Sequence, residues 1–480
     1  MSEQFEERVK EIYKDKAEEM SRSLRELTKR HSEIFPNDKG RDISLFTAPA
    51  RTEICGNHTD HQNGKVIAAA IDIDMRCAAC PNGEDIIRVN SQGYAPVSID
   101  LMGLHDGAAC DKKDDISGAA GCIQNDAGTV TEALLYGIIS ALSAMGYEIK
   151  GFDALIESDI PSGCGMSSSA AYEVIIGSII SELFNDGNIP HLDIAKAGRT
   201  AENSYMGKPS GLLDQLACLE GGVLYIDLKD PECPELEKLS FDPKELGCAI
   251  CLVDTGSSHE DLTEAYAQIK DDMSNVAGFF GKKTLREVSE DEIEKNFMEI
   301  VGRFGERAVK RVIHFVNEEE RVDKLKQCIA ELADKGILDA DILEKKTETE
   351  TEDPAAACDM SVTDVQDEDE KNEDGEEYDP VSEYLKVIVL SGQSSFRDLN
   401  NVCLPGKAAS SNVVKALDMS WELLAGRGAF RIHGGGFEGT VQAYVPLDRL
   451  SDYISVMEET FGEGACHVVH IRDAGTCRIK

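Results

Sequence analysis

The stretch RTEICGNHTDHQNGKV, residues 51 to 66, crowds Arg51, Glu53, Asn57, His58, Asp60, His61 and Gln62 around Gly56 and Gly64. Three kinds of chemistry suit such a cluster. His58 and Asp60 are two residues apart, and a strand would set both on one face, as a metal pair needs. No third close ligand is apparent, however. A mixture of Asn, His and Asp also offers donors and acceptors in fixed directions, which suits a hydroxylated ligand. The third possibility is a wet loop with no ligand at all.

A second segment, PSGCGMSSSAAYEVIIGSII (161–180), has a different character. A strand runs into Pro161, glycines at 163 and 165 permit close backbone approach, and three serines open a helix. Unpaired N–H groups and the positive end of the helix then converge, which makes an anion site built mostly from backbone. The hydroxyls can add hydrogen bonds or ligate a phosphate-bound Mg²⁺. An N-capped helix after a glycine turn is the plainer reading. No lysine follows as in the GxxxxGK[ST] pattern, and the serine run does not fit a dinucleotide fingerprint.

In AENSYMGKPSGLLDQLACLEGG (201–222), Glu202 lies on a helix and Asp214 sits among Leu212, Leu213 and Leu216. An apolar run normally excludes a carboxylate. Asp214 either caps a helix or is held in a cleft for proton transfer. The glycine turn in HGGGFEG (433–439) can bring backbone close to a ligand, but a β-turn accounts for it equally well.

The elements that must position these groups alternate between strands and helices. Strands are expected at 43–50, 65–79, 86–90, 151–160 and 247–256, and helices at 133–146, 168–183 and 193–206. Residues 260–338 read as largely helical, and 430–447 as strand, glycine turn and strand. The pattern predicts α+β architecture with an interdomain cleft. The expected divisions are a helical extension over 1–35, a first domain over 36–240 and a second over 241–480. Within the second, residues 341–380 carry 17 acids against 3 bases. Such a segment buries too little to offset its ordering entropy and reads as a disordered insertion.

The net charge of −41 sets nucleic acid and anionic lipid aside as partners. Any anion handled here needs local cationic help. No apolar run approaches a bilayer span, and the N-terminus lacks the layout of a signal peptide, so a cytoplasmic protein is expected. The 15 cysteines, Cys55, Cys77, Cys164, Cys218 and Cys403 among them, are scattered through apolar stretches and read as buried free thiols.

Taken together and in this order, the motifs resemble those of the galactokinases of the GHMP small-molecule kinase family. APARTEICGNHTDHQNGKVIAAAID is similar to the galactokinase signature, PSGCGMSSSAA to the family's phosphate loop and HGGGFEG to its third motif. The segment EAYAQIKDDMSNVAGFFGKKTLREV around Tyr266 matches as well. The resemblance implies a two-domain GHMP fold, with an N-terminal ribosomal-protein-S5-like α/β domain and a C-terminal ferredoxin-like α+β domain. It implies transfer of the γ-phosphate of ATP to the anomeric hydroxyl of galactose, with Mg²⁺. Asp214 matches the catalytic aspartate and Arg51 the arginine beside it. Asn57, His58, Asp60, Gly211 and Tyr266 match sugar-binding positions. Gly163, Gly165, Met166, Ser167, Ser168 and Ser169 match the ATP phosphate loop. Glu202 and one of Ser168 or Ser169 match the Mg²⁺ ligands. Sugar and ATP are the expected partners, and the chain is expected to act as a monomer, with a weak homodimer as the alternative.

Four departures stand out. Asn57 replaces the family's glutamate and His61 its tyrosine. Glu53 stands near Arg51, Glu438 occupies a usual glycine position, and residues 398–412 do not match. Asn both donates and accepts where carboxylate only accepts, so sugar choice is open to change. The rivals are a GHMP kinase for another sugar derivative and a non-catalytic sugar and ATP sensor. The complete SSSAA run argues against the sensor.

Overall fold

The apolar strand that leads into the first motif becomes β1 (Ser44–Cys55), every residue of which is buried. It pairs antiparallel with the long β2 (Lys65–Pro81), and the register slips between Pro49 and Arg51 and again between Glu53 and Cys55. Such irregularities re-aim side chains, and here they flank Arg51 and Glu53. The computed structural model describes residues 2–38, 40–102, 127–161, 163–208, 210–256, 263–335, 379–403, 407–437 and 439–480. The acidic stretch read as an insertion lies outside the described residues up to 378, as does Glu438.

Chain contacts divide the molecule into two units, one of Met1–Lys238, Glu260–Ser289 and His470–Lys480, the other of Leu239–His259 and Glu290–Val469. The first unit therefore gathers two segments that the sequence reading placed in the second domain. Their packing depends on partners some 200 and 400 residues upstream, which local pattern does not reveal.

In the first unit β1 and β2 are joined by β5 (Phe152–Ser158), β3 (Ile86–Ser91) and β4 (Val97–Asp100), with β12 (Cys477–Arg478) on the far side of β1. The pair β6 (Val223–Asp227) and β7 (Glu235–Leu239) branches from β2. Helices α3 (Ala127–Ala144), α4 (Ser168–Phe184), α5 (His191–Thr200) and α6 (Leu213–Glu220) accompany the sheet, with α7 (Thr263–Phe279) from the later segment. α4 is buried along most of its length, as its nearly all-apolar sequence requires. The N-terminal extension forms α1 (Glu3–Tyr13) and α2 (Ala17–Ile34), whose Phe5, Val9, Leu24 and Leu27 pack with Leu45, Ala78 and Ile479.

Asp74 ties three distant segments together. Its carboxylate accepts hydrogen bonds from Tyr13 Oη (2.7 Å), Thr47 Oγ1 (2.6 Å) and Arg472 Nη1 (2.7 Å). Asp74 and Arg472 are each only 4 % exposed. Removing one partner of a buried ion pair strands the other charge. Asp74→Ala is therefore expected to cost about 3–5 kcal/mol in urea unfolding, against about 1 kcal/mol for Tyr13→Phe. Equal losses in the two variants would show that Arg472 is not held by this pair.

The second unit has a four-stranded antiparallel sheet in the order β11 (Cys466–Val469), β8 (Cys248–Asp254), β10 (Thr440–Pro446) and β9 (Ala429–His433). Val413 and Ala416 of α10 (Asn412–Leu424) and Tyr453 and Met457 of α11 (Leu450–Phe461) close its core. Separately in that unit, α8 (Glu290–Lys335) packs with α9 (Pro380–Ser394). The HGGGFEG turn is packed against Asn401: Phe437 N–H donates to its carbonyl, and a Cβ at Gly436 would lie 2.1 Å from that oxygen. Asn401 belongs to the segment whose sequence departs from the family pattern.

Cys55, Cys77, Cys164, Cys218 and Cys403 are buried free thiols, as expected. Among the described residues, no helix is long and apolar enough to cross a membrane.

Candidate active site

Asp214 lies in the first turn of α6, but it does not cap the helix. Its carboxylate instead accepts from Arg51 Nε at 2.6 Å and from the Ser167 hydroxyl. Arg51 is almost wholly buried, and its Nη1 donates to the Gly165 carbonyl. One guanidinium thus fastens the carboxylate to the glycine–serine turn. Burial alone would raise the Asp214 pKa, but Arg51, Lys208 and the Ser167 hydroxyl outweigh it and hold the group below its ordinary value.

The turn itself needs left-handed backbone at Gly163 (φ 79°), Gly165 (φ 66°) and Ser167 (φ 58°). Glycine takes this conformation without strain, whereas serine does not. Ser167 precedes α4 without capping it by its side chain, and its hydroxyl is spent on Asp214 instead. The Met166 side chain is buried, and its carbonyl accepts from Arg51 N at 3.4 Å. Of the two serines proposed as cation ligands, Ser169 meets Glu202, its Oγ 3.0 Å from Oε1. Ser168 makes no side-chain hydrogen bond to a described residue.

Glu202 lies in a wide π-turn (Ala201–Tyr205) that extends α5. Such turns shift side chains relative to an α-helical register. The residue is buried, and it also accepts from Lys208 Nζ at 2.5 Å and Gln215 Nε2 at 3.4 Å. Gln215 bonds Glu173 at 2.8 Å as well. Burial, with Glu202 nearby, pushes the Glu173 carboxyl well above the ordinary range despite that bond. Gly198 leaves room for it, since a Cβ there would lie 2.6 Å from Glu173 Oε2.

The opening motif folds as a tight polar loop. Gly56 (φ +100°) packs so closely on β2 that a Cβ would fall 2.6 Å from the Lys65 carbonyl. The Thr59 hydroxyl donates to the carbonyls of Gly56 or Lys65, at 2.9 and 2.7 Å. Asn57 is buried, and its amide donates to Glu53 Oε1 at 3.0 Å. The His58 ring lies 5.5 Å from His61 and 6.1 Å from Tyr266. Gln62 joins this loop to the later segment through Ser274 Oγ (3.1 Å) and Leu285 N (3.1 Å). Asp60 packs directly on Gly211, where a Cβ would lie 2.1 Å from Oδ2. Burial first, then the charges of Asp214 and Glu53, push Asp60 up to about 7, although the His61 N–H opposes this.

Asp214, Arg51, the serine turn and Glu202 therefore form one hydrogen-bonded constellation. Asp60 meets Gly211 and His58 meets Tyr266, while Asn57 reaches Glu53. Among the described residues no group of three His, Cys, Asp or Glu gathers as a metal cage. Lys208, Glu173 and Gln215 are the additions that sequence reasoning missed. Glu173 carried the signal that singled out Asp214, a lone carboxylate in an apolar run.

Residues 29–81 match the galactokinase galactose-binding signature, and residues 133–222 match the GHMP kinases N terminal domain. The chain is 30 % identical over 309 residues to the galactokinase of Lactococcus lactis subsp. lactis, covering 63 % of this chain and 71 % of that one. It is 28 % identical over 288 residues to the galactokinase of Streptomyces coelicolor, with coverage of 58 % and 67 %. In fold it is similar to Lactococcus lactis galactokinase complexed with galactose (TM-score 0.69, 20 % identity, 95 % of this chain and 99 % of that one). A Methanococcus jannaschii mevalonate kinase is more distant (TM-score 0.50, 14 % identity, 90 % and 99 %).

Proposed function

Since the chain belongs to the galactokinase family of GHMP kinases, we propose that it phosphorylates the anomeric hydroxyl of galactose with ATP, giving galactose 1-phosphate and ADP. The observation that carries this reading is the Asp214 carboxylate, kept ionised by Arg51 and joined through Ser167 to the phosphate turn. A carboxylate below its ordinary pKa is a weak base. Its main work is to orient the hydroxyl and to accept the proton late, as the phosphoryl group leaves ADP in a loose transition state. The proton passes from the sugar hydroxyl to Asp214, and the oxygen–phosphorus bond forms as the γ-bond breaks. Arg51, the α4 N-terminus and the turn amides stabilise charge on the transferring group.

Ser169 and Glu202 offer hard oxygen donors 3.0 Å apart beside the turn. That set suits Mg²⁺, which takes one or two carboxylates and completes its shell with phosphate and water. When bound, the ion would neutralise the β- and γ-phosphates. Asn57, His58, Asp60, Gly211 and Tyr266 supply the sugar cage in this reading, with Glu53 holding the Asn57 amide.

ADP release measured over a panel of hexoses and their amino and acid derivatives tests the assignment. Fastest turnover on galactose is expected. Turnover only on another sugar would keep the kinase and overturn galactose, and none on any sugar would overturn both.

The elevated Asp60 pKa has a sign. An ionised carboxylate accepts hydrogen bonds from sugar hydroxyls, so binding favours the ionised form. Galactose affinity should therefore strengthen as pH rises through about 7, and Asp60→Asn should remove that dependence. Calorimetric titrations on either side of neutrality check it, and a wild-type affinity flat with pH would refute the acceptor role. Folding responds oppositely: the folded pKa exceeds the ordinary value of about 4, so this group's contribution to stability falls between about pH 4 and 7.

A further inference from the structure

Lys208 follows the π-turn, and its backbone N–H donates to the Glu202 carbonyl at 3.0 Å. Its side chain folds back to set Nζ 2.5 Å from Glu202 Oε1. The lysine side chain is 48 % exposed, whereas the carboxylate it reaches is 2 % exposed. The loop around it is clasped by Asn203, which accepts from Ser210 N at 2.8 Å and donates to its carbonyl at 3.2 Å.

Four observations lift this lysine above a surface ion pair. Two cations act on Asp214, Arg51 and Lys208, and Arg51 already has Nε on Asp214 and Nη1 on Gly165. Lys208 uses one donor on Glu202, and its other two ammonium N–H groups have no partner among the described residues. Ser169 of the phosphate turn meets the same Glu202 oxygen at 3.0 Å, so the ammonium and the turn share one carboxylate. Finally, a chain of net charge −41 repels a polyphosphate everywhere except where cations are placed to meet it.

We propose that Lys208 is a catalytic, phosphate-contacting residue whose ammonium rests on Glu202 and passes to the γ-phosphoryl oxygens when ATP enters. This rests on the phosphotransferase reading above. The transfer exchanges one carboxylate partner for phosphate and leaves the Glu202 carboxylate available to a cation, so no charge is left unpaired. A lysine suits the task because its compact charge and three rotatable donors ride on a flexible stem.

The test compares wild type with Lys208→Met, which keeps the stem, and Lys208→Arg, which keeps the charge. ATP is titrated calorimetrically in EDTA and then with Mg²⁺, galactose is titrated separately, and kcat is measured. Lys208→Met should lose about tenfold or more in affinity for Mg²⁺-free ATP and about 100-fold in kcat. Its galactose affinity should stay within about twofold of wild type, and Lys208→Arg should recover part of the ATP affinity. Unchanged ATP binding and kcat in Lys208→Met would overturn the proposal. So would a parallel loss of ATP affinity, galactose affinity and thermal midpoint, the mark of a lysine that only tethers its loop. A wild type that turns over no sugar would defeat the kinase reading, while the Mg²⁺-free ATP titration would still judge Lys208.

Discussion

Asp214→Asn is expected to lower kcat by about 1,000-fold or more while leaving galactose affinity within a few-fold of wild type. Asparagine keeps the shape of the side chain. Its amide oxygen can still accept from Arg51 Nε, which lies 2.6 Å from Oδ1 in the wild type, so the contact is kept while the buried guanidinium loses its counter-charge and stability falls. What disappears is the negative charge that orients the sugar hydroxyl and takes its proton. Such a loss appears in kcat and kcat/KM together, as for a group used chiefly in the transition state. A variant that retains more than about a tenth of wild-type kcat would remove Asp214 from the chemistry.

Arg51→Lys should be nearly as damaging, though it conserves charge. The guanidinium reaches Asp214 through Nε and the Gly165 carbonyl through Nη1, and it does so from a buried position. A single ammonium cannot span both in that geometry. A fall of about 100-fold in kcat is expected. A second consequence follows from linkage. Burial raises the Asp214 pKa and Arg51 is the largest opposing influence, so a weakened pair lets the pKa climb. The acid limb of the pH–rate profile should then move to higher pH in the variant. An unmoved limb with a large kcat loss would mean that Arg51 acts on the phosphoryl group alone.

Asp214 was legible in the sequence because a carboxylate between Leu213 and Leu216 contradicts its neighbours. Glu173 carries the same contradiction within AAYEVIIG and could have been read by the same rule. The glycine–serine turn was legible because its backbone demands are local. Three features were not. The helix expected through residue 206 holds α geometry only to Thr200 and widens over 201–205, which sets the position of Glu202. Apolar periodicity does not register a change of that size. Lys208 matters only because the chain folds back six residues onto Glu202. Glu53 reads in sequence as a competitor for Arg51, yet its carboxylate also carries the Asn57 amide. That bond depends on the turn at Gly56.

The order of synthesis gives the Asp74 junction a further meaning. Thr47 and Tyr13 are made before or shortly before Asp74, but Arg472 follows 398 residues after it. At ordinary elongation rates of about 5–20 residues per second, the Asp74 carboxylate waits tens of seconds for Arg472, with Arg76 its nearer cation in the meantime. The intervening unit, Leu239–His259 with Glu290–Val469, is completely translated before that wait ends. The unit that holds Asp74 is thus completed only after the other has been translated. The edge of β1 stays without β12 until the segment that carries Arg472 and Cys477–Arg478 has been made.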